Sequence, residues 1–167
     1  SGGREVVCIA APSIEAQVRE AARGWRFPHR VLAPSEQGKA DAFAAMDVAL
    51  ACSGTVTTEL AAQGAPVIVG YKLGWITWAL ARAFLMRSRF ITLLNVAAGR
   101  EVAPEFVQTR FRPAKLAAQA ERLLASPEAA AAQRTAQFEA LRVMGGDAGA
   151  GAADIAAATI LGLLARS

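Results

Sequence analysis

The sequence predicts an α/β fold, a three-layer doubly wound parallel sheet followed by a helical C-terminal extension. Three observations carry this expectation. Apolar runs of four to six residues alternate with stretches whose apolar residues recur at helical spacing. The connections between runs are helix-like and 10–15 residues long, which suits parallel βαβ crossovers better than hairpins. Finally, 167 residues that are 54% hydrophobic and 19% charged suffice for one core, so residues 1–167 read as a single domain.

Taken in order, Glu5–Ala10 is a first strand, rich in β-branched residues and closed by Pro12. Ser13 is a good N-cap for a helix that runs to Gly24. Arg30–Ala33 is the second strand, Gly38–Met46 a helix and Asp47–Cys52 the third strand. Ser53-Gly54-Thr55 turns into a helix ending at Gly64, and Pro66–Val69 is the fourth strand. A helix is expected over Trp75–Met86 and a fifth strand over Arg89–Leu94. After Asn95 only helices are expected: Pro104–Val107, Pro113–Ala125, Glu128–Val143 and Ala153–Ala165. Gly149-Ala150-Gly151 imitates the start of a dinucleotide fingerprint, but it follows a helix and no acidic residue lies ~20 positions beyond it.

Composition removes several functions. Fifteen Arg and 3 Lys against 10 Glu and 4 Asp leave a formal charge of only +4, so no nucleic-acid partner is expected. Cys8 and Cys52 sit in apolar runs, as reduced core thiols do. One histidine, His29, and no CxxC leave too few ligands for a zinc site, so no metal is expected. His29 has no evident nucleophile beside it and is read as structural. No apolar run approaches the ~20 residues that span a bilayer.

In an open parallel sheet the ligand lies beyond the carboxyl ends of the strands. The residues expected there are Ser53, Gly54 and Thr55, then Gly70, Tyr71 and Lys72, then Asn95 with Gly99, Arg100 and Glu101 behind it. Gly54 lets a ligand approach the backbone, and the helix behind it offers unpaired N–H groups to a phosphate. The segment lacks a P-loop pattern, which excludes a P-loop ATPase. If Thr55 is the cap, Glu59, four residues on, is one position too far for a capping box and is expected to accept from paired hydroxyls such as those of a ribose. A capped helix with an acidic first turn is the competing reading.

The stretch from Leu60 to Arg100 carries five basic residues and no acidic one. Trp75, Trp78, Arg82 and Met86 recur at helical spacing with Arg89 just beyond, the pattern of a helix facing an anionic membrane surface. A tryptophan stripe buried against the sheet explains the same spacing equally well.

Ala51–Gly64, followed by Ala65–Tyr71, resembles the donor-binding motif of GT-B glycosyltransferases. Extended through Leu94, Asn95, Gly99-Arg100-Glu101 and Pro104–Gln108, it is similar to the lipid-A-disaccharide synthase family, most strongly from Asp47 to Gln108. The resemblance implies a Rossmann-like half of a GT-B fold, the C-terminal, nucleotide-holding one. It implies an inverting hexosyltransferase that joins UDP-2,3-diacylglucosamine to 2,3-diacylglucosamine 1-phosphate, a lipid X type acceptor, without cofactor or metal. It sets Ser53, Gly54 and Thr55 at the pyrophosphate, Glu59 at the ribose and Asn95 at the donor's phosphate or sugar. Gly70, Tyr71, Arg100 and Glu101 form the rest of the donor wall. The implied location is cytoplasmic, peripheral on the inner membrane of a Gram-negative bacterium, and a homo-oligomer stays open.

The chain departs from the family's pattern in two places. Leu94 stands where the family has Pro, and the family's opening strand, its Gly-Ser-Arg turn and the whole N-terminal domain are absent from this sequence. A fragment inactive on its own is therefore expected. The alternatives are another GT-B UDP-sugar enzyme, either an N-acetylglucosaminyltransferase or a UDP-GlcNAc 2-epimerase, and a non-catalytic nucleotide- or lipid-surface-binding module.

Overall fold

The computed structural model describes residues 3–33, 35–52, 54–72, 74, 75 and 89–145. It divides into two compact units, residues 1–46 and 47–167. Elements are numbered over the described residues.

In the first unit β1 (Val6–Ile9) pairs in parallel with β2 (His29–Leu32), joined by α1 (Glu15–Ala22). The helix starts later than Ser13: Ile14 holds the N-cap position with no side-chain cap bond. An Arg19–Glu15 pair at 2.8 Å, one turn apart, supports it instead. After β2, α2 (Glu36–Ala45) begins two residues before the expected Gly38, because the Ser35 hydroxyl caps it by accepting from the Gly38 N–H at 3.1 Å. Trp25 stacks on Phe27 with ring centroids 5.2 Å apart, and the His29 ring meets Trp25 edge-on. His29 Nδ1 lies 2.9 Å from the Phe27 carbonyl, so this histidine is held in local structure.

In the second unit β3 (Ala49–Ala51), β4 (Val67–Tyr71) and β5 (Glu105–Val107) form a parallel sheet in that order. α3 (Gly54–Ala62) connects β3 to β4 and turns off at Gly64, whose φ of +81° favours glycine. The core gathers Ile68, Leu116 and Leu123, with Val48, Phe106 and Ala120 packed on it. Fully burying each of the large aliphatic side chains is worth about 1.5–3 kcal/mol.

The fold class is α/β with parallel strands, as the sequence predicts, but one strand is elsewhere. The expected fifth strand, Arg89–Leu94, is not a strand. Leu93–Ala98 is a short helix, α4, with Thr92 as N-cap and Gly99 at φ +64° as C-cap. Those end signals outweigh an apolar run that periodicity alone cannot assign. The true fifth strand is Glu105–Val107, where a helix was expected. Three residues after a proline are too few for a helix, and the ladder to β4, opened by Val69 N–H donating to the Pro104 carbonyl at 2.9 Å, holds them extended.

Two longer helices follow among the described residues, α5 (Pro113–Ala125) and α6 (Pro127–Val143). Both carry Pro in the first turn, and Ser126 caps α6. The alanine-rich α6 is fastened by polar atoms. Gln137 Oε1 accepts from the Val67 N–H at 3.0 Å, and Gln137 Nε2 donates to the Ala65 carbonyl at 2.8 Å. Gln133 Nε2 donates to the Val67 carbonyl at 2.8 Å and to Gln137 Oε1 at 2.9 Å. Both side chains are buried. The helices expected at Trp75–Met86 and Ala153–Ala165 lie, apart from Trp75, outside the described residues.

Candidate functional site

β3 delivers its chain end at Cys52, and α3 starts two residues later at Gly54, so the first candidate cluster stands past the carboxyl end of β3. Ser53 lies outside the described residues. Cys52 is exposed, contrary to the expectation of a core thiol, because the apolar run ends at Ala51. α3 turns Thr57, Leu60 and Ala61 into the core. Thr55 is exposed and Glu59 half-buried; standing one turn apart, they share a face. The Thr58 hydroxyl donates back to the Gly54 carbonyl at 3.1 Å.

Gly54 and Gly70 differ in why they are glycines. A Cβ on Gly70 would lie 2.7 Å from Phe111 Cε2 and 3.2 Å from Leu116 Cδ2, so packing favours a glycine there and any larger residue displaces the Phe111 ring. Gly70 and Tyr71 are also not past the fourth strand but its last two residues, paired with Phe106 and Val107. Lys72 follows, exposed. Gly54 has no described atom within 4 Å of a built Cβ, and its φ is not positive. Neither backbone nor neighbours among the described residues require it.

Asn95, Arg100 and Glu101 occupy a different place. The register Val69↔Glu105 sets Ala103 level with Val67, the first residue of β4. Residues 95–103 therefore approach β5 from its amino end, whereas the expectation had them follow a strand. Asn95 is 0% exposed. Its Nδ2 donates to the Ala103 carbonyl at 2.7 Å and to Glu105 Oε1 at 2.9 Å. Its Oδ1 accepts from the N–H groups of Val102 and Ala103 at 2.7 and 2.8 Å. Two donors and two acceptor sites are all an asparagine side chain has, and all four are taken inside the protein. Arg100 is exposed and pairs with exposed Glu139 at 3.3 Å. Glu101 is exposed too, its Oε1 accepting from the Glu105 N–H at 3.2 Å.

Two polar residues were not singled out from the sequence. Glu105 is 5% exposed, and its carboxylate accepts from the Ile91 and Thr92 N–H groups, the Thr92 hydroxyl and Asn95. It ties the start of α4 to the start of β5. A glutamate in a segment expected to be helical gave no reason to look for that. Gln108 directly follows β5 on the carboxyl side, buried, with a φ of +50° that non-glycine residues rarely adopt. Its position closing the family-like block was the only hint. Strained, buried polar residues past a strand concentrate at functional sites.

A parallel α/β unit with polar and glycine residues past the carboxyl ends of its strands falls in the Rossmann-like class. Comparison narrows this. A family model described as lipid-A-disaccharide synthetase matches residues 3–153. Lipid-A-disaccharide synthase of Paramagnetospirillum magneticum is 39% identical over 143 residues, which is 83% of this chain and 36% of the relative. The same enzyme of Rhodospirillum centenum is 36% identical over 84% of the chain and 35% of the relative. That of Gluconobacter oxydans is 38% identical over 95% of the chain and 37% of the relative. The chain belongs to the lipid-A-disaccharide synthase family. It spans between 35% and 37% of the length of these curated relatives. Among the described residues no helix is long and apolar enough to cross a membrane.

Proposed function

We propose that this chain is the donor-nucleotide-holding part of an inverting glycosyltransferase that moves 2,3-diacylglucosamine from UDP to 2,3-diacylglucosamine 1-phosphate. The observation that carries the reading is Gly54, a glycine at the start of α3 that, among the described residues, neither backbone nor packing requires and no neighbour crowds. An uncrowded helix N-terminus is where a pyrophosphate gains N–H bonds and a favourable dipole. Ser53 and Thr55 lie on either side of it, and Glu59 stands one turn on, where a carboxylate accepts from ribose hydroxyls. Tyr71 and Gln108 close β4 and β5 on the same side and form the wall. As UDP departs it gains negative charge, and fixed N–H donors stabilise that charge without reorganising.

Asn95 takes a supporting part in this reading, holding the approach to β5, because its oxygen and amide are committed inside the protein, and Glu101 joins it through the one oxygen that accepts from the Glu105 N–H. Trp75, which is 66% exposed, and Arg89 supply contact with an anionic membrane or an acylated substrate; Trp78 and Arg82, named with them from the sequence, lie outside the described residues.

Calorimetric titration of the full-length enzyme with UDP tests the proposal. Gly54→Val, which adds bulk at this helix start, abolishes measurable binding with little change in melting temperature. Glu59→Gln weakens binding by about 1.5–3 kcal/mol. Unchanged UDP affinity in Gly54→Val, or NAD binding as tightly as UDP, overturns it.

A further inference from the structure

β5, three residues long, is the edge strand of its sheet among the described residues. A parallel ladder turns alternate residues of a strand away from the neighbour it bonds. Val69 N–H donates to the Pro104 carbonyl, and the register sets Val69 level with Glu105. The main-chain groups of Glu105 and Val107 therefore point away from β4, toward the edge. One of them is taken: the Glu105 N–H donates to Glu101 Oε1 at 3.2 Å. Glu101 is exposed, so its carboxylate stands where the carbonyl of a further strand would accept and is free to swing out. An edge of this kind is a template for strand addition.

A groove of about 470 Å³ adjoins this edge, lined by Phe106 of β5 and by α5 and α6. Ala129, Ala132 and Ala136, small side chains of one α6 face, leave room in it for larger ones. Successive side chains of a strand point to opposite faces, so a strand laid along β5 turns alternate side chains to the Phe106 face and into the groove. The charged groups there are mostly cations. Arg122 has no carboxylate partner among the described residues, and Arg100 shares only the exposed Glu139. Arg122 Nε instead donates to Gln119 Oε1 at 3.3 Å, which commits the oxygen of that amide. Gln119 Nε2 is left buried with no acceptor, the only such side-chain atom among the described residues. A buried donor without an acceptor is costly and marks a place where an oxygen is missing.

We propose that the β5 edge docks an extended acidic segment of another protein. The segment's main chain adds as a strand beside β5, and an apolar side chain of it enters the alanine-lined groove. Its flanking carboxylates meet Arg100 and Arg122, and one of its oxygens accepts from Gln119 Nε2. Charge selects this partner. A second copy of this chain, paired β5 to β5, would bring the same arginines toward one another, and like charges at an interface are costly. Arg110, two residues past Gln108, borders the donor wall and is no part of the docking site. The inference does not rest on the donor reading.

The test titrates the full-length protein by calorimetry with the peptide acetyl-Glu-Glu-Val-Ile-Val-Glu-Glu-amide, and hydrogen exchange locates the contact. Three control peptides carry Lys for every Glu, Ser for the three apolar residues, or N-methyl groups on the amides of Val-Ile-Val. The parent peptide is expected to bind and to protect residues 105–107 and 119–122, and each control to bind about tenfold or more weakly. Arg122→Glu is expected to lower the affinity about tenfold at unchanged melting temperature, since that side chain is exposed. If it melts early, Ala132→Phe, which fills the groove from an exposed helix position, carries the test with a severalfold loss expected. Glu101→Ala is expected to tighten binding severalfold, because it frees the Glu105 N–H and removes the acid that lines the groove; damage to the fold produces no such gain. No binding of the parent peptide, equal binding of the N-methylated one, or unchanged affinity in folded Arg122→Glu overturns the proposal. So does protection of residues 119–122 by UDP or inorganic phosphate in place of the peptide.

Discussion

Replacing Asn95 by alanine separates a side chain that holds the protein together from one that touches a ligand. The substitution removes four hydrogen bonds of 2.7, 2.9, 2.7 and 2.8 Å. Glu105 keeps its bonds to Ile91 and Thr92, so its loss is partial. The N–H groups of Val102 and Ala103 lose the only acceptor shown for them, and both residues are buried. Each orphaned buried donor costs about 1–3 kcal/mol, and with the lost donation to Ala103 the total is about 3–5 kcal/mol, near the top of what single substitutions do. At roughly 3–6 °C per kcal/mol for a unit of this size, the melting temperature falls by about 10 °C or more.

Asn95→Asp supplies the control. It keeps an acceptor for both N–H groups but sets a second carboxylate 2.9 Å from Glu105 Oε1, so one of the pair must hold a proton. A carboxyl pKa raised by folding leaves the variant least penalised at low pH and destabilises it as pH rises through the folded value. Its melting temperature therefore approaches wild type near about pH 4–5, where ordinary carboxylates titrate, and falls away by about pH 7. Differential scanning calorimetry across pH reads both variants. An Asn95→Ala protein that melts with wild type yet loses UDP affinity refutes the reasoning and returns Asn95 to the donor site.

Four further outcomes are expected. Gln137→Leu leaves the buried Val67 N–H and Ala65 carbonyl without their α6 partner and lowers stability by about 2–4 kcal/mol in chemical denaturation. Exposed Cys52, beside the start of α3, alkylates quickly and is shielded by UDP, whereas burial pushes the half-buried Cys8 thiol up and slows it; mass spectrometry after timed labelling reads both. Trp75→Ser/Arg89→Glu reduces co-sedimentation of the full-length protein with anionic vesicles, and added salt reduces it further. The Arg30 guanidinium, bonded twice to the Glu5 carboxylate, holds that carboxyl below the usual range, so an NMR titration shows Glu5 protonating below the ordinary carboxylate range, and the small stabilisation from the pair disappears as pH falls through that low range.

Four of the five described strands were legible because each is a largely apolar run closed by proline, glycine or the polar start of a helix, although only β4 is buried along nearly its whole length. β5 was not, because Glu-Phe-Val has no strand signature and is extended only through its pairing with β4. The stretch at Arg89–Leu94 failed in the opposite sense. Its composition suits a strand, but Thr92 and Gly99 cap a helix there and Glu105, thirteen residues away, anchors the Thr92 cap. For the candidate site, residues past β3 were readable from order along the chain. Asn95, Arg100 and Glu101 could be read only as a motif, and a motif does not say whether its side chains face a ligand or the backbone beside them. Asn95 faces the backbone.

The two buried glutamines of α6 have a consequence for assembly of the unit. A helix face of alanines is nearly smooth, and smooth faces slide past a neighbour at little cost because one turn looks like the next. Gln133 and Gln137 make the turns of α6 unequal. A shift of one turn would put Gln137 opposite the Val67 carbonyl, where Gln133 belongs. It would also bring the apolar Leu141 side chain to the Val67 N–H and the Ala65 carbonyl, stranding both. The amides index the helix against β4, so that a sequence with few large side chains still admits one alignment. Weakening either glutamine should cost the unit its uniqueness, seen as broadened amide resonances along α6, before it costs the unit its helix.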